Sequence, residues 1–407
     1  MNDQNGQRPG LKLGIILVAG LLIRAVVIAV TRGTSDLWLW DTFAKAVEQY
    51  GLGAYAHVTR LNHPPLGMLL VWGLYKIGPL SLTLRISQVL ADVVTAVAIH
   101  KIAGHLNIGQ RYAAALYFLS PAAILTSSFF CNTDSMVATL LTVSVLMVLK
   151  RRYAFAGALL ACGCGLKIVP LLALPLFFLF AKEGRARFAI AFIVIAGVIF
   201  LPVFAYAPVS FTQNVLGYRG SGEMWGLALP ATVGGAASTI LGLSRLRLLC
   251  YHLAGVYIDL TRYFVIAIVG LVTWISWRRA DNDRFPAAVM LLFLGATTVA
   301  PRVTLGYFVW FLPLLPFTFK RSITFLIYAV ASIQLMADYT LFSIGSESFW
   351  FANLGNTTNP WWLGRAVDVL GIPLWCLCWW FLAKGLIAMY RGYRGESSSS
   401  DPQPSYQ

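Results

Sequence analysis

Long apolar runs separated by short polar breaks fill the chain, and the runs have the length of membrane spans. Leu13 to Val30 is continuous but for Arg24, and roughly 20 apolar residues suffice to cross a hydrocarbon core. The same pattern predicts spans from Leu82 to His100, Tyr112 to Ser128, Met136 to Leu149, Tyr153 to Gly165, Ile168 to Phe180 and Phe188 to Tyr206. Farther on come Thr261 to Trp277, Phe285 to Ala300, Thr304 to Phe319, Ser322 to Tyr339 and Leu363 to Ala388. Together they predict an all-α polytopic membrane protein with about 12 transmembrane helices and both termini cytoplasmic.

The polar breaks are of two kinds. Short basic clusters, such as Lys150-Arg151-Arg152, Lys182 to Arg187, Arg278-Arg279 and Lys320-Arg321, fall on one side of this topology, as cytoplasmic loops do. The other breaks are longer, aromatic and Gly-containing, and they fall on the opposite side. The first outer loop, residues 31–81, carries Pro64 to Ile77, an apolar piece interrupted by Gly73 and closed by Gly78. It reads as an interfacial helix rather than a span. The organisation that follows is a cytoplasmic N-terminus at 1–12 and a seven-helix module at 13–206. A second outer loop with an interfacial segment occupies 207–260, with C-terminal spans at 261–388 and a disordered cytoplasmic tail at 389–407.

Composition agrees with that class. Of 407 residues only 12% are charged, against 58% hydrophobic, where soluble domains carry about 25% charged residues. The net charge of +15 excludes no partner by itself, but its confinement to short loops argues for positive-inside topology and against nucleic acid. The six cysteines form no C-x-x-C pair and no zinc spacing, so they read as small packing residues.

Candidate chemistry concentrates in the outer breaks, where a membrane scaffold presents polar groups to water. Asp36 stands beside Trp38 and Trp40 at the start of a helix-like run. It suits an N-cap or a general base for a bound hydroxyl equally well. Asp41 lies about 140° from Asp36 round a helix and four residues before Lys45, which favours a solvated ion pair. Asp134, in Asn132-Thr133-Asp134-Ser135, is a second cap-or-site carboxylate on the same side. Lys167 is a lone cation between two short apolar segments, a snorkelling lysine or a partner for a lipid phosphate. Arg302 and Arg219, beside Tyr218, allow the same two readings. His63, before Pro64-Pro65, is a loop histidine that could contact substrate. Asp92 and Arg24 lie inside spans and read as a buried structural pair.

Several stretches, in their order, resemble the GT-C superfamily of membrane glycosyltransferases, which use polyprenyl- or dolichyl-phosphate-linked sugars. Ser35-Asp36 with its aromatic helix and Asn62-His63-Pro64-Pro65-Leu66 resemble that superfamily's first outer loop. Ser120-Pro121-Ala122 and Asn132-Thr133-Asp134-Ser135 resemble its next paired elements, and Gly165-Leu166-Lys167 with Pro175 the one after. Ala300 to Trp310, followed by Leu312-Pro313, is similar to a late segment of the mannosyltransferase of GPI-anchor assembly. His63 and Thr304 depart from the pattern, where relatives often have an acid and a histidine.

The resemblance implies a specific chemistry. Asp36 would deprotonate the acceptor hydroxyl, and Lys167, Arg302 and Arg219 would hold the departing lipid phosphate. Asp134 would orient substrate, and Asp41, His63, Trp40, Tyr218 and Trp225 would help to line the site. The donor would be a polyprenyl- or dolichyl-phosphate sugar, with mannose or glucose favoured and a pentose possible. The acceptor would be a lipid-linked or other envelope glycan. No cofactor is required on this reading; a divalent metal is compatible, but no ligand cluster is visible. The rival reading is a multi-pass transporter or flippase, which predicts polar groups near mid-membrane and matched broken helices.

Overall fold

The computed structural model describes residues 9–34, 36–59, 61–218, 225–226, 228–278, 281–343 and 361–394. Among these residues the fold is helical throughout, with no β-strand. The first helix, α1 (Pro9–Val30), has no interior proline and turns Ile15, Leu22 and Val26 outward. Large exposed aliphatics around a helix mean lipid contact, and they are what a bilayer rather than water accepts.

The first outer break folds into α2 (Asp36–Tyr50), the short α3 (Ala54–His57) and α4 (Pro65–Ile77). One face of α2 buries Trp40, Phe43, Ala44 and Val47 in a cluster with Met68 and Val71 of α4. The helix expected over Pro64 to Ile77 is thus present as α4, packed on α2. Pro65 opens α4 at N1, where the missing N–H costs nothing.

The bundle then runs through α5 (Leu80–His105), α6 (Gln110–Phe118), α7 (Pro121–Ser128), α8 (Asp134–Leu149), α9 (Tyr153–Leu166), α10 (Leu174–Phe180) and α11 (Arg185–Tyr206). The helix α8 is buried along almost its whole length and forms the centre, whereas α11 turns an apolar face outward. Gly157 permits the close approach of α9 and α11, because a Cβ there would stand 2.2 Å from the carbonyl oxygen of Phe188. Small residues at such crossings are how membrane helices gain contact area.

Beyond α11 come the short α12 (Pro208–Phe211), α13 (Ala228–Ile240), α14 (Ser244–Trp277), α15 (Phe285–Val299), α16 (Arg321–Ser343) and α17 (Trp361–Arg394). Five of the described helices are individually long and apolar enough to cross a membrane. Shorter apolar helices, among them α8 and α9, share the bundle with them.

Four sequence expectations are corrected or refined. The span expected from Tyr112 to Ser128 is two helices, broken where Ser120 caps α7 by accepting from the Ala123 N–H at 3.2 Å and Pro121 occupies N1. Within the stretch 207–260, expected as an outer loop with an interfacial segment, residues 231–260 are almost wholly helical: they comprise most of α13 and the first half of α14, a continuous helix of 34 residues. At 1.5 Å per residue α14 is about 50 Å long, so the charges at Arg245, Arg247 and Asp259 interrupt hydropathy without interrupting the helix. Thr304 to Phe319 is not an α-helical span but two 3₁₀ turns, Leu305–Trp310 and Leu312–Phe317, with Pro313 and Pro316 removing the donors an α-helix would need. Finally, α17 continues to Arg394, past the expected start of a disordered tail at 389. Residues 344–360, within the stretch 261–388 expected to hold the C-terminal spans, lie outside the described residues.

Candidate active site

Four chain segments meet at one end of the bundle: the start of α2, the turn 129–133 before α8, the end of α9 and the 3₁₀ turn 305–310. Each is placed by its own sequence. Asp36 opens α2, and its half-buried carboxylate accepts from Asn132 Nδ2 at 3.2 Å. The Asn132 Oδ1 in turn accepts the Thr133 N–H at 2.7 Å, which fixes the amide's orientation. Burial pushes the Asp36 carboxyl up to about 6, with Asp134 adding to the rise; the Lys167 ammonium and the Asn132 hydrogen bond oppose it. Desolvation that outweighs a nearby cation is how a carboxylate is tuned towards general-base work.

Asp134 stands in the first turn of α8, where the helix dipole favours an anion. It does not cap its own helix. Its Oδ1 accepts from Lys167 Nζ at 2.5 Å and from Trp310 Nε1 at 3.0 Å, while its buried Oδ2 has no hydrogen-bond partner. Lys167 follows the last residue of α9 in extended backbone, so its side chain leaves the helix towards Asp134. There its ammonium lies 4.5 Å from the ring centre of Tyr307 and 5.2 Å from that of Trp310. The two rings stack 4.3 Å apart, and together they give the cation an aromatic wall. An ammonium has three donors, and Asp134 takes one.

Two close approaches hold this geometry. Gly67 lets the start of α4 press on the end of α9, since a Cβ would sit 2.9 Å from the Leu166 carbonyl. Gly306 does the same for the 3₁₀ turn, where a Cβ would meet Phe130 at 2.9 Å and Asp134 Oδ2 at 3.3 Å.

The remaining sequence candidates separate. His63 is half-buried with its ring 4.4 Å from that of Trp40. Burial, with Lys167 nearby, lowers its pKa to about 3, so it is neutral at ordinary pH. Trp40 is 2% exposed and donates through Nε1 to the Cys131 carbonyl at 2.8 Å, bracing the 129–133 turn from behind rather than lining an open wall. Trp225 is likewise buried against Phe308, with its backbone N–H on the Pro301 carbonyl at 2.8 Å. Arg302, next in chain, is half-buried at the same end. Tyr218 is exposed and near enough to Tyr307 for the two hydroxyls to influence each other. Asp41 lies apart, exposed and paired with Lys45 at 2.6 Å. Arg219 lies outside the described residues. Asn132, Tyr307 and Trp310 are site residues that sequence reasoning quoted inside motifs without giving them roles; their positions in the polar breaks were the available signal. No cluster of three potential metal ligands occurs among the described residues.

Arg24 and Asp92 do form the expected buried pair, at 2.8 Å and fully enclosed. Tyr117 donates to the other Asp92 oxygen at 2.7 Å, and Arg24 also binds Ser127 Oγ and the Phe118 carbonyl. Such a closed network offers a translocated solute no free group.

The family model described as Glycosyltransferase family 87 matches residues 62–305, more than half of the chain. The chain belongs to glycosyltransferase family 87. It is an integral-membrane glycosyltransferase, and its fold is that of the GT-C enzymes. Among solved structures it is similar to ArnT from Cupriavidus metallidurans bound to undecaprenyl phosphate, at 14% identity and a TM-score of 0.50 over 95% of this chain and 76% of that one. At that identity the likeness speaks for the fold alone. No curated protein matches the chain.

Proposed function

We propose that this family 87 enzyme transfers a sugar from a polyprenyl-phosphate donor to a hydroxyl of a lipid-linked or other envelope glycan, with Asp36 as general base. The observation that carries the reading is the meeting of Asp36, Asp134 and Lys167, from segments far apart in sequence, at one end of an apolar bundle. The solved relative of similar fold is bound to undecaprenyl phosphate, which supports a donor of that type here. A site at the membrane boundary lets the lipid tail stay in the bilayer while the sugar phosphate reaches the polar groups.

In the proposed step the acceptor oxygen attacks the anomeric carbon as the bond from that carbon to the phosphate oxygen breaks. Asp36 takes the hydroxyl proton, and polyprenyl phosphate leaves with the bonding pair. In-line displacement inverts the anomeric centre. Lys167, with Arg302 and Arg219, stabilises the departing phosphate. Asp134 holds Lys167 in place and offers its unpartnered oxygen to a substrate hydroxyl. Nothing in this step calls for a metal. Mannose or glucose is favoured as the sugar, with a pentose as the variant. The site faces outward, from the plasma membrane if the cell is bacterial.

The test compares wild type with Asp36→Asn on short-chain polyprenyl-phosphate sugars in detergent, with cell lipid extract as acceptor, reading polyprenyl phosphate released. Release by wild type with one donor, lost in the variant, is expected. Full release by the variant would remove Asp36 from the role of base. If wild type releases nothing from any donor in the presence of acceptor extract, the donor class is wrong.

A further inference from the structure

Arg85 is 2% exposed in α5 and forms no ion pair among the described residues, yet sequence reasoning passed over it. Its guanidinium is spent mainly on carbonyls at the ends of two other helices, with the Thr31 hydroxyl and the Ser81 carbonyl of its own helix completing the set. The Nε donates to the Ser128 carbonyl, the last residue of α7, at 2.6 Å. One terminal nitrogen donates to the Thr31 carbonyl at 3.0 Å and the other to Thr31 Oγ1 at 2.5 Å and the Val27 carbonyl at 3.2 Å, at the end of α1. Helix C-termini carry unsatisfied carbonyls and a partial negative charge. Two of them converging give a buried cation the stabilisation that a carboxylate would otherwise supply.

What leaves those two helix ends is the active site. From Thr31 the chain runs to Asp36, and from Ser128 it runs to Asn132. Between the clamp and the Asp36–Asn132 hydrogen bond lies one further link, and one turn into α2 a second brace reaches the same 129–133 turn. Thr34 Oγ1 donates to the Phe130 carbonyl at 2.6 Å, and Trp40 Nε1 to the Cys131 carbonyl at 2.8 Å. The two loops therefore form a ladder with Arg85 at its base.

We propose that Arg85 is a positioning residue for glycosyl transfer: by tying the end of α1 to the end of α7 it sets the separation of Asp36 and Asn132. Its part in the reaction rests on the reading of Asp36 as base; its part in the ladder does not. The groups that act on Asp36 are Asn132, Asp134, Lys167, Cys131 and Tyr307. Loosening the ladder removes the Asn132 hydrogen bond, which holds the Asp36 pKa down.

Two readouts test this in the full-length protein. Cys131 is fully buried between the loops. With the other five cysteines changed to Ala, its labelling by a membrane-impermeant maleimide should be at least tenfold faster in Arg85→Lys than in the Arg85 parent. Arg85→Lys keeps the charge but loses the fork. The control is Ile99→Ala, a core truncation on the same helix about 21 Å away, which should leave labelling unchanged. In the second readout, kcat per folded enzyme in Arg85→Lys should fall at least tenfold with donor KM within threefold. The acid limb of its kcat/KM profile should move upward, as it does in Asn132→Leu. Unchanged labelling overturns the clamp. Faster labelling with kcat and acid limb both as in Ile99→Ala overturns its role in the reaction. A wild type with no acid limb, together with an active Asp36→Asn, overturns instead the assignment of the base, and the labelling still decides the clamp.

Discussion

Two buried polar clusters lie within this bundle, and they are built to opposite ends. Around Arg24 and Asp92 the principal charges are matched: both side chains are fully enclosed, and Tyr117, Ser127 and a backbone carbonyl complete the network. Around Asp134 and Lys167 the matching stops short. Asp134 keeps one oxygen without a hydrogen-bond partner, Lys167 stays partly exposed, and Asp36 nearby is held with its carboxyl pushed up to about 6. Buried polar groups that are satisfied stabilise a fold, and those left short are where a substrate can complete the set. The difference separates structure from function more sharply than the residue types do, since both clusters contain one acid and one base in an ion pair.

Breaking each cluster in turn should give different failures. The largest effect is expected from Asp36→Asn, with a loss of about 10³-fold in kcat from removal of the proposed general base and a protein that still folds; single-turnover release of polyprenyl phosphate checks it. Asp92→Ala should instead leave Arg24 buried and unpaired, costing about 3–5 kcal/mol of stability. Thermal unfolding in detergent would show this, while activity per folded molecule stays near wild type. Lys167→Met should lower kcat/KM by about 10²-fold through loss of its proposed stabilisation of the departing phosphate, and lower stability because Asp134 loses its ion-pair partner. Adding Asp134→Asn should restore stability without restoring turnover.

A smaller effect concerns pH. The carboxyl of Asp36 is raised in the fold, so between its unfolded value of 3.8 and about 6 the folded state binds more protons than the unfolded one. Stability from this group is therefore present at low pH and is lost as pH rises through about 6. Relative to wild type, Asp36→Asn should unfold at the same temperature near pH 4 and be more stable at pH 7.5, by up to about 3 kcal/mol. Activity runs the other way if Asp36 is the base proposed above, because a general base must be ionised, and kcat/KM of the wild type should fall as pH drops below about 6. The smallest effect is expected at Asp41, whose pair with Lys45 is screened by solvent; Asp41→Asn should leave both turnover and unfolding temperature within error.

Much of the fold was legible because hydropathy reports it directly. The apolar runs marked α1, α5, α8, α9 and α11 to within a few residues, and the interrupted run from Pro64 marked the short helix α4. The break at Ser120-Pro121 was also legible in principle, since a serine cap followed by proline starts helices, but the apolar residues on either side concealed it. The run of α14 through Arg245 and Arg247 was not, because a hydropathy window cannot separate a polar turn of helix from a loop. At the site, the individual residues Asp36, Asp134 and Lys167 could be picked out by their isolation among apolar neighbours. Their partnerships could not. The Lys167–Asp134 bond and the Asn132–Asp36 bond join positions whose proximity only the tertiary fold determines. Arg85 was missed for the same reason: its ligands are carbonyls, which carry no side-chain signature.

The most direct measurement puts Asp36→Asn and Asp92→Asn side by side, each scored for unfolding temperature and for polyprenyl phosphate released per folded molecule. The expected result is a stable, inactive Asp36→Asn beside an unstable Asp92→Asn whose folded fraction still turns over. An active Asp36→Asn, or an Asp92→Asn that keeps full stability and loses turnover, would contradict the division of the two clusters into site and scaffold.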